Sequence, residues 1–89
     1  MVKWELVSFI SRSSQRKKVL YTLEKPITPG EIAKETNMYL THVSRTLKEF
    51  QDRELVICLT PNERIWKLYK LTKLGVQMLN YIKRNDKTT

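Results

Sequence analysis

Residues 28–53 read TPGEIAKETNMYLTHVSRTLKEFQDR, and this stretch decides the fold. Thr28-Pro29-Gly30-Glu31 is a helix start. The Thr28 hydroxyl can accept from the Glu31 N–H, and the Glu31 carboxylate from the Thr28 N–H, which satisfies two donors that a helix start leaves open. Pro29 falls at the first helical position, where a missing N–H costs nothing. Thr36-Asn37 ends that helix, since both side chains compete for nearby backbone groups and Asn tolerates a left-handed φ. The spacing predicts a second helix over about 39–53. Leu40, Val43, Leu47 and Phe50 recur every three or four residues and are expected to form its apolar stripe. Thr41, His42, Arg45 and Lys48 fall on the opposite side, with donors suited to base edges and phosphates. Two short helices, a tight turn and an outward-facing second helix make a helix-turn-helix with a recognition helix.

On the N-terminal side, VKWELVSFI over residues 2–10 is apolar at six positions of nine. A helix with a wide buried face fits, although periodicity alone leaves a buried strand open. Residues 1–12 hold more apolar surface than one small domain needs and form a candidate dimer arm. Ser13 or Ser14 can cap a helix over about 15–24, with Val19, Leu20 and Leu23 inward. Lys25-Pro26 closes it, because a residue before Pro avoids the α region.

On the C-terminal side, LVICLT at 55–60 and WKLYKL at 66–71 read as strands joined by a turn at Pro61-Asn62-Glu63, so they form a hairpin. Thr72 then caps a helix over about 73–84, with Leu74, Met78, Leu79 and Ile82 inward, and residues 85–89 are expected to fray. The fold class is α+β, mainly α: a single domain over 1–89, with a three-helix core, a β-hairpin and flanking N- and C-terminal helices.

Charge narrows the function. The 89 residues carry 17 Lys and Arg against 9 Asp and Glu, a net charge of +8 that favours polyanions. Residues 28–60 hold four bases and five acids, while the flanks hold six bases to two acids and seven bases to two acids. The reading unit is thus near neutral and the grip on phosphate is expected from its edges. Arg16, Lys17 and Lys18 crowd the start of one helix against its dipole, which costs about 0.3–1 kcal/mol each. A phosphate contact would explain that cost, and simple solvation is the alternative.

The hairpin placed directly after the helix-turn-helix, together with segments 28–33, 41–50, 55–61 and 68–75, resembles the archaeal winged-helix transcriptional regulators of the broad MarR/ArsR kind. Members read much like TPSEIA, SHVSRTLKEL, GLVECLTPE and LYRLTEKG in those places. The resemblance covers about residues 15–79 and implies a winged helix-turn-helix fold. It also implies sequence-specific binding of double-stranded DNA by a homodimer, with helix 39–53 in the major groove. The wing, residues 60–68, is then expected at the backbone or minor groove. Two positions depart from the pattern. Glu54 stands where the family has Gly at the end of the recognition helix, so it must adopt a left-handed conformation under strain or end the helix differently. Ile65-Trp66 stand where the wing tip has a basic residue and Gly, which opens a second reading of the wing as a protein contact surface.

The expected DNA-binding residues are Thr41, His42, Ser44, Arg45 and Lys48 on the recognition helix, Arg64 and Lys67 on the wing, and Arg16, Lys17 and Lys18. Arg45 can pair in bidentate fashion with guanine, and its competing use is an intrahelical salt bridge with Glu49. One histidine and one cysteine, His42 and Cys58, do not supply a four-coordinate metal site, and Cys58 is expected to pack as a small hydrophobe. A single cysteine excludes an intrachain disulfide, and no apolar run approaches the roughly 20 residues of a membrane span. With no glycine-rich phosphate loop and no Ser/His/Asp grouping, the chain reads as a cytoplasmic non-enzyme without cofactor. The rival functions are a winged-helix protein-interaction module, with Ile65 and Trp66 as its contact, and a non-specific architectural DNA binder.

Overall fold

The computed structural model describes residues 3–64 and 67–85. The elements are α1 (Trp4–Ser11), α2 (Ser14–Thr22), α3 (Pro29–Thr36), α4 (Leu40–Asp52), β1 (Val56–Cys58), β2 (Tyr69–Leu71) and α5 (Lys73–Asn85). Local sequence explains most of the boundaries. Ser13 caps α2 by accepting from the Arg16 N–H. Helix α2 stops at Thr22 rather than Glu24, where the Leu23 N–H turns back to the Leu20 carbonyl. Thr28 and Glu31 form both halves of the capping box at α3, and Pro29 is its first residue. Asn37 turns the chain at φ 59°, and the Met38 N–H closes the helix by donating to the Ala33 carbonyl.

The end of α4 answers the question raised by Glu54. Glu54 takes the left-handed conformation, at φ 60°. Its N–H donates to the Gln51 carbonyl at 3.0 Å and the Leu55 N–H to the Phe50 carbonyl at 2.8 Å. This is a complete Schellman turn, and its hydrophobic partners Leu55 and Phe50 are both fully buried. The start of α5 is fastened onto this turn. The Thr72 hydroxyl donates to the carbonyls of Glu54 and Leu55 and accepts from the Gly75 N–H. Gly75 lies so close that a Cβ there would sit 2.1 Å from the Leu55 carbonyl oxygen.

The hairpin pairs Val56 with Leu71, Ile57 with Lys70 and Cys58 with Tyr69 in antiparallel register. Both strands are shorter than the sequence predicts. Leu55 spends its N–H on the α4 turn. At the other end the Thr60 hydroxyl accepts from the Leu68 N–H where a ladder carbonyl would stand. Pro61 and Asn62 turn the chain, with the Glu63 N–H returning to the Thr60 carbonyl. A further pairing has no signal in the sequence: Ile27 bridges Tyr69 on the other side of β2, with hydrogen bonds of 3.0 and 2.9 Å. Val2, Ile65, Trp66 and residues 86–89, on which parts of the expected first helix, contact surface and frayed tail fall, lie outside the described residues.

The core gathers Leu20, Ile32, Val43, Leu47, Phe50, Leu55 and Met78, among others, from all the helices and the hairpin. Helix α1 contributes one fully buried residue, Ile10, and leaves Trp4 66% exposed. Leu40 does not join the stripe of α4. It is 53% exposed, and Thr46 is buried instead. The Thr46 hydroxyl is satisfied by the His42 carbonyl at 2.9 Å, so its methyl can face the core at little cost.

Candidate nucleic-acid interface

Viewed down α4 at about 100° per residue, the buried Val43, Leu47 and Phe50 define one side. Thr41, Arg45 and Lys48 lie opposite, all exposed, and form a ridge. Asp52 continues the same line at the C-terminal end, so the positive part of the ridge is its N-terminal half. A cleft runs along each flank. The first, about 240 Å³, lies between α4 and the start of α2 and is lined by Ser13, Gln15, Arg16, His42, Arg45, Thr46 and Glu49. The second, about 440 Å³, lies between α4, the start of α3 and the hairpin, where Ser44 and Leu40 face Arg64, Lys67, Tyr69 and Thr28. The start of a helix borders each cleft, with the Arg16 N–H at α2 taken by Ser13 and the Thr28 and Glu31 N–H groups at α3 taken by the capping box.

The structure therefore brings Thr41, Arg45 and Lys48 together on the ridge, His42 beside the first cleft, and Ser44, Arg64 and Lys67 around the second. It does not bring Arg16, Lys17 and Lys18 together. Consecutive helical residues point about 100° apart. Lys17 lines a small cleft between α1, α2 and α5, away from the α4 ridge, and Lys18 is exposed. Arg16 is engaged inside the fold: its Nε donates to Glu49 Oε1 at 3.3 Å and its Nη1 to the Phe9 carbonyl at 2.9 Å. Its guanidinium lies 3.8 Å above the Phe9 ring, and the Arg53 guanidinium lies 3.7 Å from the same ring. Phe9 thus ties α1 to α2 and to the end of α4 by two cation–π contacts. Glu49 is paired with Arg16 rather than with Arg45, and among the described residues none holds the Arg45 guanidinium.

Tyr69 lines the second cleft, and Glu31 belongs to the helix start that borders it. The Thr28 N–H and hydroxyl, which donate to the Glu31 carboxylate, hold its pKa below the ordinary carboxylate value, and Lys25 adds to this. Burial raises the Tyr69 phenol above its ordinary value, and a negative Cys58 thiolate across the hairpin would raise it further. Cys58 itself is a half-buried free thiol. Among the described residues no three His, Cys, Asp or Glu side chains converge as metal ligands. No helix among them is long and apolar enough to cross a membrane.

No family model matches the chain, and no curated protein matches it in sequence. Solved structures match it in fold. MarR from E. coli superposes with a TM-score of 0.75 at 26% identity, covering 90% of this chain and 61% of MarR. A mutant of the same MarR complexed with operator DNA gives 0.73, also at 26% identity, over 90% of this chain and 59% of that one. TubR, of type III plasmid segregation, gives 0.79 at 17% identity and covers 100% of this chain and 93% of its own. The fold is a winged helix-turn-helix. Within it, the chain spans 51% of Lactococcus lactis ZitR and 61% of MarR, so it corresponds to about half to three fifths of those proteins.

In this winged helix the β1–β2 hairpin is the wing, and Ile27 adds a single bridge to Tyr69 at its base. Sequence reasoning missed two groups of residues at the site. Tyr39 and Leu40 stand outward at the start of α4, 78% and 53% exposed. The signal that could have found them was position: a first-turn residue has no preceding turn of its own helix to shelter it. Phe9 and Arg53 had no local signal, since their contact joins distant parts of the chain.

Proposed function

We propose that the chain is a double-stranded DNA-binding transcriptional regulator that reads sequence with the ridge of α4. The observation that carries this reading is the placement of Thr41, Arg45 and Lys48 outside the core, between two clefts. A ridge of helix width enters the major groove, and the two phosphate backbones beside that groove come to lie along the clefts. Arg45, not engaged by Glu49, pairs with a guanine edge. Thr41, His42 and Ser44 add base or phosphate contacts and Lys48 takes a phosphate. Arg64 and Lys67 hold the backbone from the wing. Lys18 and Lys17 contribute only long-range attraction, and Arg16 positions α4 through Glu49. MarR is known in complex with operator DNA, and its likeness to this chain supports the reading.

The active species is a homodimer in the cytoplasm. The exposed Trp4 of α1, edge-on to Tyr81 of α5 at 5.7 Å, supports a shared surface on these two helices. The site is then an inverted repeat with half-site centres about one helical turn apart. Selection from random duplexes followed by mobility-shift titration at two salt concentrations tests this. An enriched inverted repeat whose binding weakens steeply with salt is the expected result. Salt-sensitive binding with no enriched motif would instead favour an architectural DNA binder. No binding to duplexes at low salt would favour a protein-interaction module.

A further inference from the structure

The start of α4 carries apolar surface that neither the core nor the charge pattern uses. Tyr39, at the N-cap, makes no side-chain capping bond and is 78% exposed. Its ring meets His42 edge-on at 5.8 Å. Leu40 follows, half-exposed, at the mouth of the cleft that it shares with Ser44 and Arg64. Nothing lies within 4 Å of the place a Gly30 side chain would occupy, so that side of the cleft is open. These two side chains adjoin the N-terminal half of the ridge, the half that carries its positive charge. Major-groove edges present hydrogen-bonding atoms at every base pair and one apolar group, the C5 methyl of thymine.

Building on the DNA reading above, we propose that Leu40 and Tyr39 are specificity-determining residues that recognise thymine methyl groups beside the guanine met by Arg45. Leu40 supplies a compact apolar contact. Tyr39 supplies a broader one. The division of labour is chemical: charged and hydroxyl groups on the ridge take polar base edges, and the helix start takes the methyls.

The test replaces each thymine of a selected binding duplex, one at a time, by deoxyuridine. This removes the C5 methyl and leaves every hydrogen-bonding group in place. At one or two positions per half-site the wild-type protein is expected to lose about fourfold in affinity, the worth of one buried methyl. Leu40→Ala, or Tyr39→Ala at the second position, is expected to bind the thymine duplex more weakly and to become indifferent to the replacement there. Thermal unfolding is expected to change little, because Tyr39 is exposed and Leu40 is half-exposed and outside the core. Wild-type binding that is insensitive to deoxyuridine at every position overturns the methyl reading while leaving the DNA reading intact. A sensitivity that persists in both variants also overturns it. Failure to bind any duplex at low salt overturns the DNA reading itself, and this inference falls with it.

Discussion

At its first residue α4 has no side-chain cap and two outward apolar side chains. At its last it is held by a Schellman turn, by the Thr72 hydroxyl, by the close approach of Gly75 and by the Arg16–Glu49 pair. The contrast shows how one helix combines stability with access. A helix end meant to touch a partner must keep its side chains out of the core, so its packing has to be secured elsewhere. Here the securing contacts gather on the last turn, where the ridge turns acidic at Asp52 and is least suited to phosphate.

Gly75→Ala is expected to damage the anchored end most. The new methyl would collide with backbone rather than with a movable side chain, and the cost is about 3 kcal/mol of stability, read by urea unfolding. An unchanged midpoint would show that α5 is free to slide. Arg45→Ala should act on the open end alone. Discrimination at its base pair is expected to fall by about 1–3 kcal/mol in competition titrations, with the melting temperature unchanged. Thr72→Val, which removes the hydroxyl that serves both α4 and α5, is expected to cost about 1–2 kcal/mol of stability and to leave the half-site preference as it was.

Two smaller effects sharpen the comparison. Glu54→Gly relieves a left-handed residue that carries a Cβ and should stabilise the domain by about 0.5–1 kcal/mol, after allowing for the greater freedom of glycine in the unfolded chain. Destabilisation instead would mean that the Glu54 side chain does more than end the helix. At α3 the sign follows from the lowered Glu31 pKa. The capping contribution is fully present above the ordinary carboxylate pKa and disappears as pH falls through the lowered folded value. An NMR titration should find the Glu31 carboxyl ionising below its ordinary value, and Thr28→Ala should return it towards that value.

The parts of this molecule legible in its sequence are those set by neighbours in the chain. The capping box at Thr28 and Glu31, the turn at Asn37 and the Thr72 cap depend on residues three or four apart, and each is present. The ridge was legible for the same reason, since helical spacing alone sets Thr41, Arg45 and Lys48 on one line. The same spacing separates Arg16, Lys17 and Lys18, because neighbouring helical residues do not share a face. Leu40 escaped because periodicity gives the direction of a side chain but not whether another element covers it there. The Phe9 sandwich and the Ile27–Tyr69 bridge escaped because they join segments that only the folded chain brings together.

That bridge also bears on how the protein behaves in a crowded solution. A two-stranded hairpin ordinarily offers two unpaired edges to other chains. Here Ile27 occupies part of one of them, and the remaining edge belongs to β1, a strand of three residues that ends in a turn. A template that short gives a second hairpin little to zip onto. The protein can therefore keep Ile57 and Leu59 at its surface without presenting them on a long open strand.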